Sequence, residues 1–277
     1  MNAPTVRLAI ANGVAKRNIN DAPTVRLALA NGQAERNGTS GFERATQVED
    51  VNAPGLLVSF VYLEPFLKNR ARYQFRDWVM DSGAFSAHHL GRPIVLADYI
   101  ATCQQLLASD PTLVEVYALD VIRDHVASQR NCEAMWAAGL RAIPCYHHGE
   151  PESVLREMAQ TYPKIALGGA VGLKKAYKLR WAEQCFARVW PKPIHGFGFG
   201  SKDHLLALPW HSVDATNWES GPCRWGNWER YGQMSVKGSY QNLRGEVEHF
   251  LDMERLARVK WKREMEQIAA LPEGGLA

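Results

Sequence analysis

From residue 55 onward the chain alternates short, continuous apolar runs with helical patterns, and this rhythm limits the fold more than any other feature. The runs that read as strands cover residues 56–60, 77–80, 113–119, 142–146, 165–167, 193–197 and 212–213. They are apolar throughout rather than alternating, as strands covered on both faces are. Between them, residues 97–107 place Tyr99, Ile100, Cys103, Leu106 and Leu107 at helical spacing. Residues 126–139 end at a glycine, residues 151–162 begin at a proline, and residues 174–190 are stopped by Pro191. Strands alternating with helices predict a parallel sheet with helices outside it. Seven runs, with an eighth strand expected at 234–236, suit an irregular (β/α)8 TIM-type barrel better than an open, doubly wound sheet. The 277 residues are enough for such a barrel, which typically needs roughly 250.

Residues 1–50 differ from the rest. Residues 2–13 (N-A-P-T-V-R-L-A-I-A-N-G) recur at 21–32 as D-A-P-T-V-R-L-A-L-A-N-G. Two copies are too few for a solenoid, and each has the Pro-first, Gly-last outline of a short helix. The expected organisation is a duplicated, loosely attached N-terminal arm over 1–50 and a barrel with a C-terminal helix over 51–277. Arg7, Arg17, Arg26 and Arg36 are the arm's candidates for touching a polyanion. At the other end, residues 244–269 predict one long amphipathic helix with Val247, Phe250, Leu251 and Leu256 toward the core. Its cations Arg255, Arg258, Lys260, Lys262 and Arg263 crowd the second half, where the helix dipole favours them.

A net charge of +3 is too mild to establish nucleic-acid binding, although a local basic face fits within it. The five cysteines are scattered with no C-x-x-C pair, which argues against a disulfide framework and a cysteine-rich zinc site. A reducing, cytoplasmic setting is expected. No stretch approaches the ~18 apolar residues of a membrane span.

In a parallel barrel, functional groups collect where the strands end. Asp81, Asp120, the His147-His148-Gly149 turn, Gly168-Gly169, Gly196-Phe197-Gly198 and Asp214 all fall at such points. Singly, each has an ordinary explanation: a strand-end aspartate often caps the next helix, and Asp81 and Asp120 could each do so. Jointly, they outline a site. A carboxylate in a buried run such as Ser212-Val213-Asp214 is costly unless it is paired or has a task. Two carboxylates facing one pocket suit substitution at a glycosidic carbon, with Asp214 as nucleophile and Asp81 as acid/base. Asp120, His148 and the Gly168-Gly169 backbone are expected to read the edge of a planar base. Phe85, Phe197 or Tyr146 would supply a stacking surface.

These stretches resemble the tRNA-guanine transglycosylases. Asp81-Ser82-Gly83-Ala84-Phe85 is similar to their D-S-G-G-F signature. Leu167-Gly168-Gly169-Ala170-Val171-Gly172 resembles their base-binding turn. His195-Gly196-Phe197-Gly198 resembles the strand end that leads to the nucleophile, and Ser212-Val213-Asp214 the strand that carries it. The likeness runs over residues 55–220. It implies a barrel, a covalent nucleophile at Asp214, a general acid/base at Asp81 and a base reader at Asp120. His148 stands where those enzymes usually have Gln before Gly.

The departures are informative. The C-x-C-x-x-C zinc motif of the RNA-modifying members is missing, since only Cys223 lies beyond residue 185. No metal or other cofactor is therefore expected. The short chain, D-S-G-A-F, and Asn217-Trp218 after the S-V-D strand resemble the DNA-modifying, DpdA-like branch, with a viral size. That resemblance implies exchange of guanine in DNA for a 7-deazaguanine such as 7-cyano-7-deazaguanine, with room for an ATP-dependent accessory protein. The expected DNA contacts are Lys174, Lys175, Lys202 and Arg224, within a wider basic set of Arg72, Arg76, Arg92 and Lys178. Trp218, Trp225 or Trp228 would fill the gap left by a flipped base. The alternatives are the same exchange on tRNA, a nucleosidase, and a non-catalytic base-binding barrel.

Overall fold

The computed structural model describes residues 24–29, 53–72, 75–215 and 240–271. Its sheet has eight strands, each parallel to its neighbours: β1 (Thr24–Leu29), β2 (Gly55–Ser59), β3 (Trp78–Asp81), β4 (Leu113–Val116), β5 (Cys145–His147), β6 (Ile165–Gly168), β7 (Ile194–Gly196) and β8 (Ser212–Ala215). The order is β4-β3-β2-β1-β8-β7-β6-β5, so the first and last strands are neighbours. The remaining edges, β4 and β5, meet in a parallel bridge between Tyr117 and Ile143. There Ala118 N–H donates to Ile143 O at 2.9 Å, and Ile143 N–H to Val116 O at 3.0 Å. The chain is thus a (β/α)8-type barrel.

Helices follow the strands. α1 (Leu63–Asn69) follows β2, and α2 (Ala84–Leu90) with α3 (Leu96–Ser109) follows β3. α4 (His125–Ala137), α5 (Glu152–Thr161), α6 (Lys175–Val189) and α7 (Lys202–Ala207) follow β4 to β7 in turn. α8 (Tyr240–Lys260) and α9 (Lys262–Ala269) come last, with α8 packed on β1 and α7. The two-residue strand period sorts the apolar runs. Leu56, Val58, Trp78, Met80, Ile165 and Leu167 join the core beneath the helices. Leu57, Val79, Tyr117, Cys145 and Ala166 fill the barrel itself.

Two expectations for the N-terminal arm need correction. The second repeat copy contributes a strand, not a helix in a loose arm: Thr24–Leu29 lies between β2 and β8. The run T-V-R-L-A-L carries β-branched residues and a two-residue alternation, and both favour a strand. The strand expected at 234–236 lies outside the described residues. Arg26 is no surface contact either. It is fully buried and paired with Asp77, with Nη1 3.4 Å from Leu56 O. Burial opposes its charge, but the Asp77 and Glu115 carboxylates more than offset this and raise its pKa. A Cβ on Gly55 would come within 3.0 Å of Arg26 Nη1, so the glycine leaves room for the guanidinium.

The C-terminal helix is also interrupted, at Trp261, whose indole donates to Leu205 O at 3.2 Å. Val247, Phe250 and Leu251 face the core as expected, but Leu256 is exposed, and Met253 and Ala257 take the buried positions instead. Among the described residues, no helix is long and apolar enough to cross a membrane.

Candidate active site

Asp81 ends β3. Its Oδ2 accepts the Gly83 N–H at 3.1 Å, closing a tight turn. Gly83 itself stands at the N-cap of α2, so Asp81 is not that helix's cap. Burial pushes the Asp81 carboxyl up to about 7, helped by the charges of Asp120 and then Asp214, against the lowering effect of the Gly83 and Ser82 backbone. On the neighbouring strand, level with Asp81, Ser59 Oγ is buried with no hydrogen-bond partner among the described residues.

Asp120 is likewise released from capping. Asp124 caps α4 by accepting the Ala127 N–H at 2.9 Å. Asp120 Oδ2 instead lies 3.2 Å from His147 Nε2. The other face of His147 is held by Glu150, which accepts the backbone N–H at 2.9 Å and lies 3.0 Å from Nδ1. Cys145, Asp120 and Glu150 all raise the His147 pKa well above its ordinary value. Because burial pushes the Cys145 thiol up to about 11, the two carboxylates carry that effect at neutral pH. A cleft behind Asp120 runs past Cys132, Cys145, Val154 and Met158 toward α4 and α5, outside the barrel mouth.

His147 thus takes the place expected for His148. Adjacent strand residues face opposite sides, and the His148 ring packs toward α6, 5.3 Å from Trp181 and 5.7 Å from Tyr177. Gly168 closes β6 and Gly169 follows it, with φ +70°. A Cβ on Gly168 would sit 2.7 Å from Cys145 Sγ, and one on Gly169 2.9 Å from His147 Cβ. The glycines leave room for these side chains. Tyr146 is buried against Trp181. Phe197 points inward with its ring 4.9 Å from Tyr117 and 4.7 Å from His195. Phe85 stands 54% exposed on α2, with its ring 4.2 Å from His89.

Asp214 lies near the end of β8, 6% exposed. Its Oδ1 accepts the Gly198 N–H at 2.6 Å, and its carbonyl accepts the Gly200 N–H at 3.0 Å. Gly198 has φ +69°, a conformation that side-chain-bearing residues rarely adopt. Lys178 Nζ donates to the Gly198 carbonyl at 2.7 Å and lies 4.2 Å from the Phe199 ring centre, holding the peptide that follows the one whose N–H faces Asp214. Lys178 is therefore buried rather than a rim cation, and burial lowers its pKa despite the Asp214 charge. Arg76 is also spoken for. It pairs with Glu254 at 2.9 Å and Asp77 at 3.2 Å, below the start of β3 and away from the carboxylates.

The other cations are better placed. Lys174 and Lys175 lie at the start of α6 and Lys202 at the start of α7, all exposed on the side where strands end. Lys175 pairs with Asp203. Arg224, Trp218, Trp225, Trp228 and the side chain of Arg72 lie outside the described residues. Asp120, Cys145 and His147 present ligand atoms within 4.8 Å of one another, the one donor set of this kind among the described residues. Glu150 holds His147 Nδ1 as a metal-bound imidazole is held. The same contacts are equally satisfied by a protonated His147 between two carboxylates.

No described protein family matches this chain by sequence, and no curated relative does. Solved structures of similar shape include tryptophan synthase α-subunits. The subunit in the α2β2 complex of Pyrococcus furiosus is 12% identical with a TM-score of 0.49, over 83% of this chain and 98% of that one. The subunit of Campylobacter jejuni is 11% identical with a TM-score of 0.43, over 83% and 96%. No chemistry follows from likenesses this distant.

Proposed function

We propose that this protein is a DNA guanine transglycosylase, which exchanges guanine for a 7-deazaguanine base in the cytoplasm through a covalent aspartyl-nucleotide intermediate. The observation that carries the reading is the placement of two carboxylates at strand ends of one barrel, with the Asp214 charge acting on the Asp81 carboxyl. Asp81 has its proton held to about 7, where an acid/base catalyst is most effective. Asp214 is anchored by Gly198 N–H at 2.6 Å.

In the first displacement an Asp214 oxygen attacks C1′ of the target nucleotide. The C1′–N9 bond breaks, its electron pair goes to guanine, and Asp81 supplies the proton. In the second, the incoming base gives a proton to Asp81 and attacks C1′, and the ester electron pair returns to Asp214. Two inversions retain configuration. Asp120, oriented by His147, accepts from the edge of the base, and exposed Phe85 offers a stacking face. The choice of DNA rests on the D-S-G-A-F sequence and on the missing zinc motif.

The test supplies labelled 7-cyano-7-deazaguanine with equal amounts of duplex DNA and tRNA, beside Asp214→Ala, with an ATP-dependent accessory protein added in a parallel series. Label in DNA alone, lost in the variant, supports the reading. Label in tRNA moves the activity to RNA. Release of guanine without incorporation makes the protein a nucleosidase.

A further inference from the structure

A chain of buried polar groups climbs through the barrel to Asp214 and is used by none of the steps above. Lys164 Nζ donates to both Glu115 oxygens at 2.8 Å and to Ser212 Oγ at 3.4 Å. Ser212 Oγ lies 2.8 Å from His195 Nδ1. His195 Nε2 lies 3.7 Å from Asp214 Oδ1 and has no hydrogen-bond partner among the described residues, although the residue is fully buried.

The direction of these bonds follows from the donor inventory. A lysine only donates, so Ser212 Oγ accepts from Lys164. Ser212 is fully buried, and its single proton needs an acceptor, which His195 Nδ1 supplies. The imidazole proton then sits on Nε2, on the side of Asp214. Burial lowers the His195 pKa against the pull of Asp214, which keeps the ring uncharged. Tyr117, 4.9 Å away, and Phe197, 4.7 Å away, fix the ring plane. At 3.7 Å the contact is too long for a formed hydrogen bond, but catalytic contacts of this kind often tighten only in the reacting complex.

We infer that His195, as its Nε2–H tautomer, is a positioning residue that joins Gly198 N–H in holding Oδ1 of Asp214, leaving Oδ2 to attack C1′. Once the ester forms through Oδ2, Oδ1 is its carbonyl oxygen. When the incoming base displaces the ester, negative charge returns to the carboxylate and both donors stabilise it. The second displacement therefore gains more from His195 than the first. This kinetic consequence rests on the transglycosylase reading; the tautomer and the contact do not.

The test has two arms. The first is a long-range nitrogen–proton NMR spectrum of the full chain carrying ¹⁵N-histidine. The expected result is a pyrrole-type Nε2 and a pyridine-type Nδ1 for His195 between pH 6 and 8, with the Nε2–H resonance moving in Asp214→Ala. A proton on Nδ1, an imidazolium, or a resonance indifferent to Asp214 overturns the inference. The second arm measures base exchange and trapped DNA adduct in His195→Leu and His195→Gln. The leucine variant should slow exchange on the order of 10²-fold and accumulate adduct. Glutamine, whose amide N–H reaches the same point, should restore most of the rate. Equal losses in both variants without adduct overturn the positioning role. If wild-type protein exchanges no base, the functional reading fails and the NMR arm alone decides the role of His195.

Discussion

Asp81 should make this protein less stable as the pH rises, and replacing it with asparagine should remove that loss. The folded protein holds the Asp81 proton to about 7, compared with an ordinary 3.8, because burial and the Asp120 and Asp214 charges penalise the anion. The folded state thus binds more proton than the unfolded chain between about pH 4 and 7, and stability falls with pH in that window. At about 1.4 kcal/mol per pH unit, the full effect is about 4 kcal/mol. The amide introduced by Asp81→Asn still offers an oxygen to Gly83 N–H but carries no charge. Urea unfolding of both proteins from pH 4 to 9 should give a stability difference that starts near zero. It should grow in favour of the variant to about 4 kcal/mol near pH 7, and stay flat above. Adding Asp214→Asn to both backgrounds should leave the start of the rise in place, end it at lower pH and lower its plateau, since one of the charges raising the folded-state value is gone. A difference that does not vary with pH, or a variant that is less stable at pH 8, would refute the reasoning.

Deleting residues 1–40 should abolish cooperative urea unfolding, because it removes β1 and opens the barrel between β2 and β8, each of which loses one of its two neighbours; a truncated protein with an unchanged transition would show that β1 is dispensable. Arg26→Met should cost about 3 kcal/mol by leaving Asp77 short of a buried partner, read as a lower urea midpoint at constant slope. Replacing Lys174, Lys175 and Lys202 with glutamine should reduce the salt dependence of duplex binding by about 0.9 in log–log slope for each phosphate that a lysine no longer neutralises; an unchanged slope would remove them from the DNA interface.

The barrel was legible because its strands are apolar on both sides, a pattern that only a sheet with helices outside and a filled interior requires. Its starting strand was not. The run T-V-R-L-A-L places an arginine in the middle, and nothing in the repeat reveals that Asp77, Glu115 and Gly55 will form a cage for it. A charge that reads as surface became interior because its partners lie on other stretches of the chain, far from it in sequence. Trp261 hid in the same way: an amphipathic pattern continues through it, whereas the break coincides with an indole reaching the carbonyl of Leu205.

The site repeats this division at finer grain. Strand ends could be read from the sequence, and the structure places Asp81 at the end of β3 and Asp214 near the end of β8. Side-chain direction depends on phase, and a shift of one residue turns a side chain to the other face. In the pair His147-His148 both residues lie at the end of β5, and the choice between them turns on Glu150, which grips His147 through both its backbone N–H and its ring. A carboxylate three residues after a strand-end histidine was available as a signal. The same phase rule, applied back from Phe197, puts His195 on the inner face of β7, and across to β8 it pairs with Ser212 and lies 3.7 Å from Asp214. The setting of Asp214 is therefore a property of two adjacent strands read in register. Changing that register by one residue would exchange His195 for Gly196, whose outer face is already closed by Trp210.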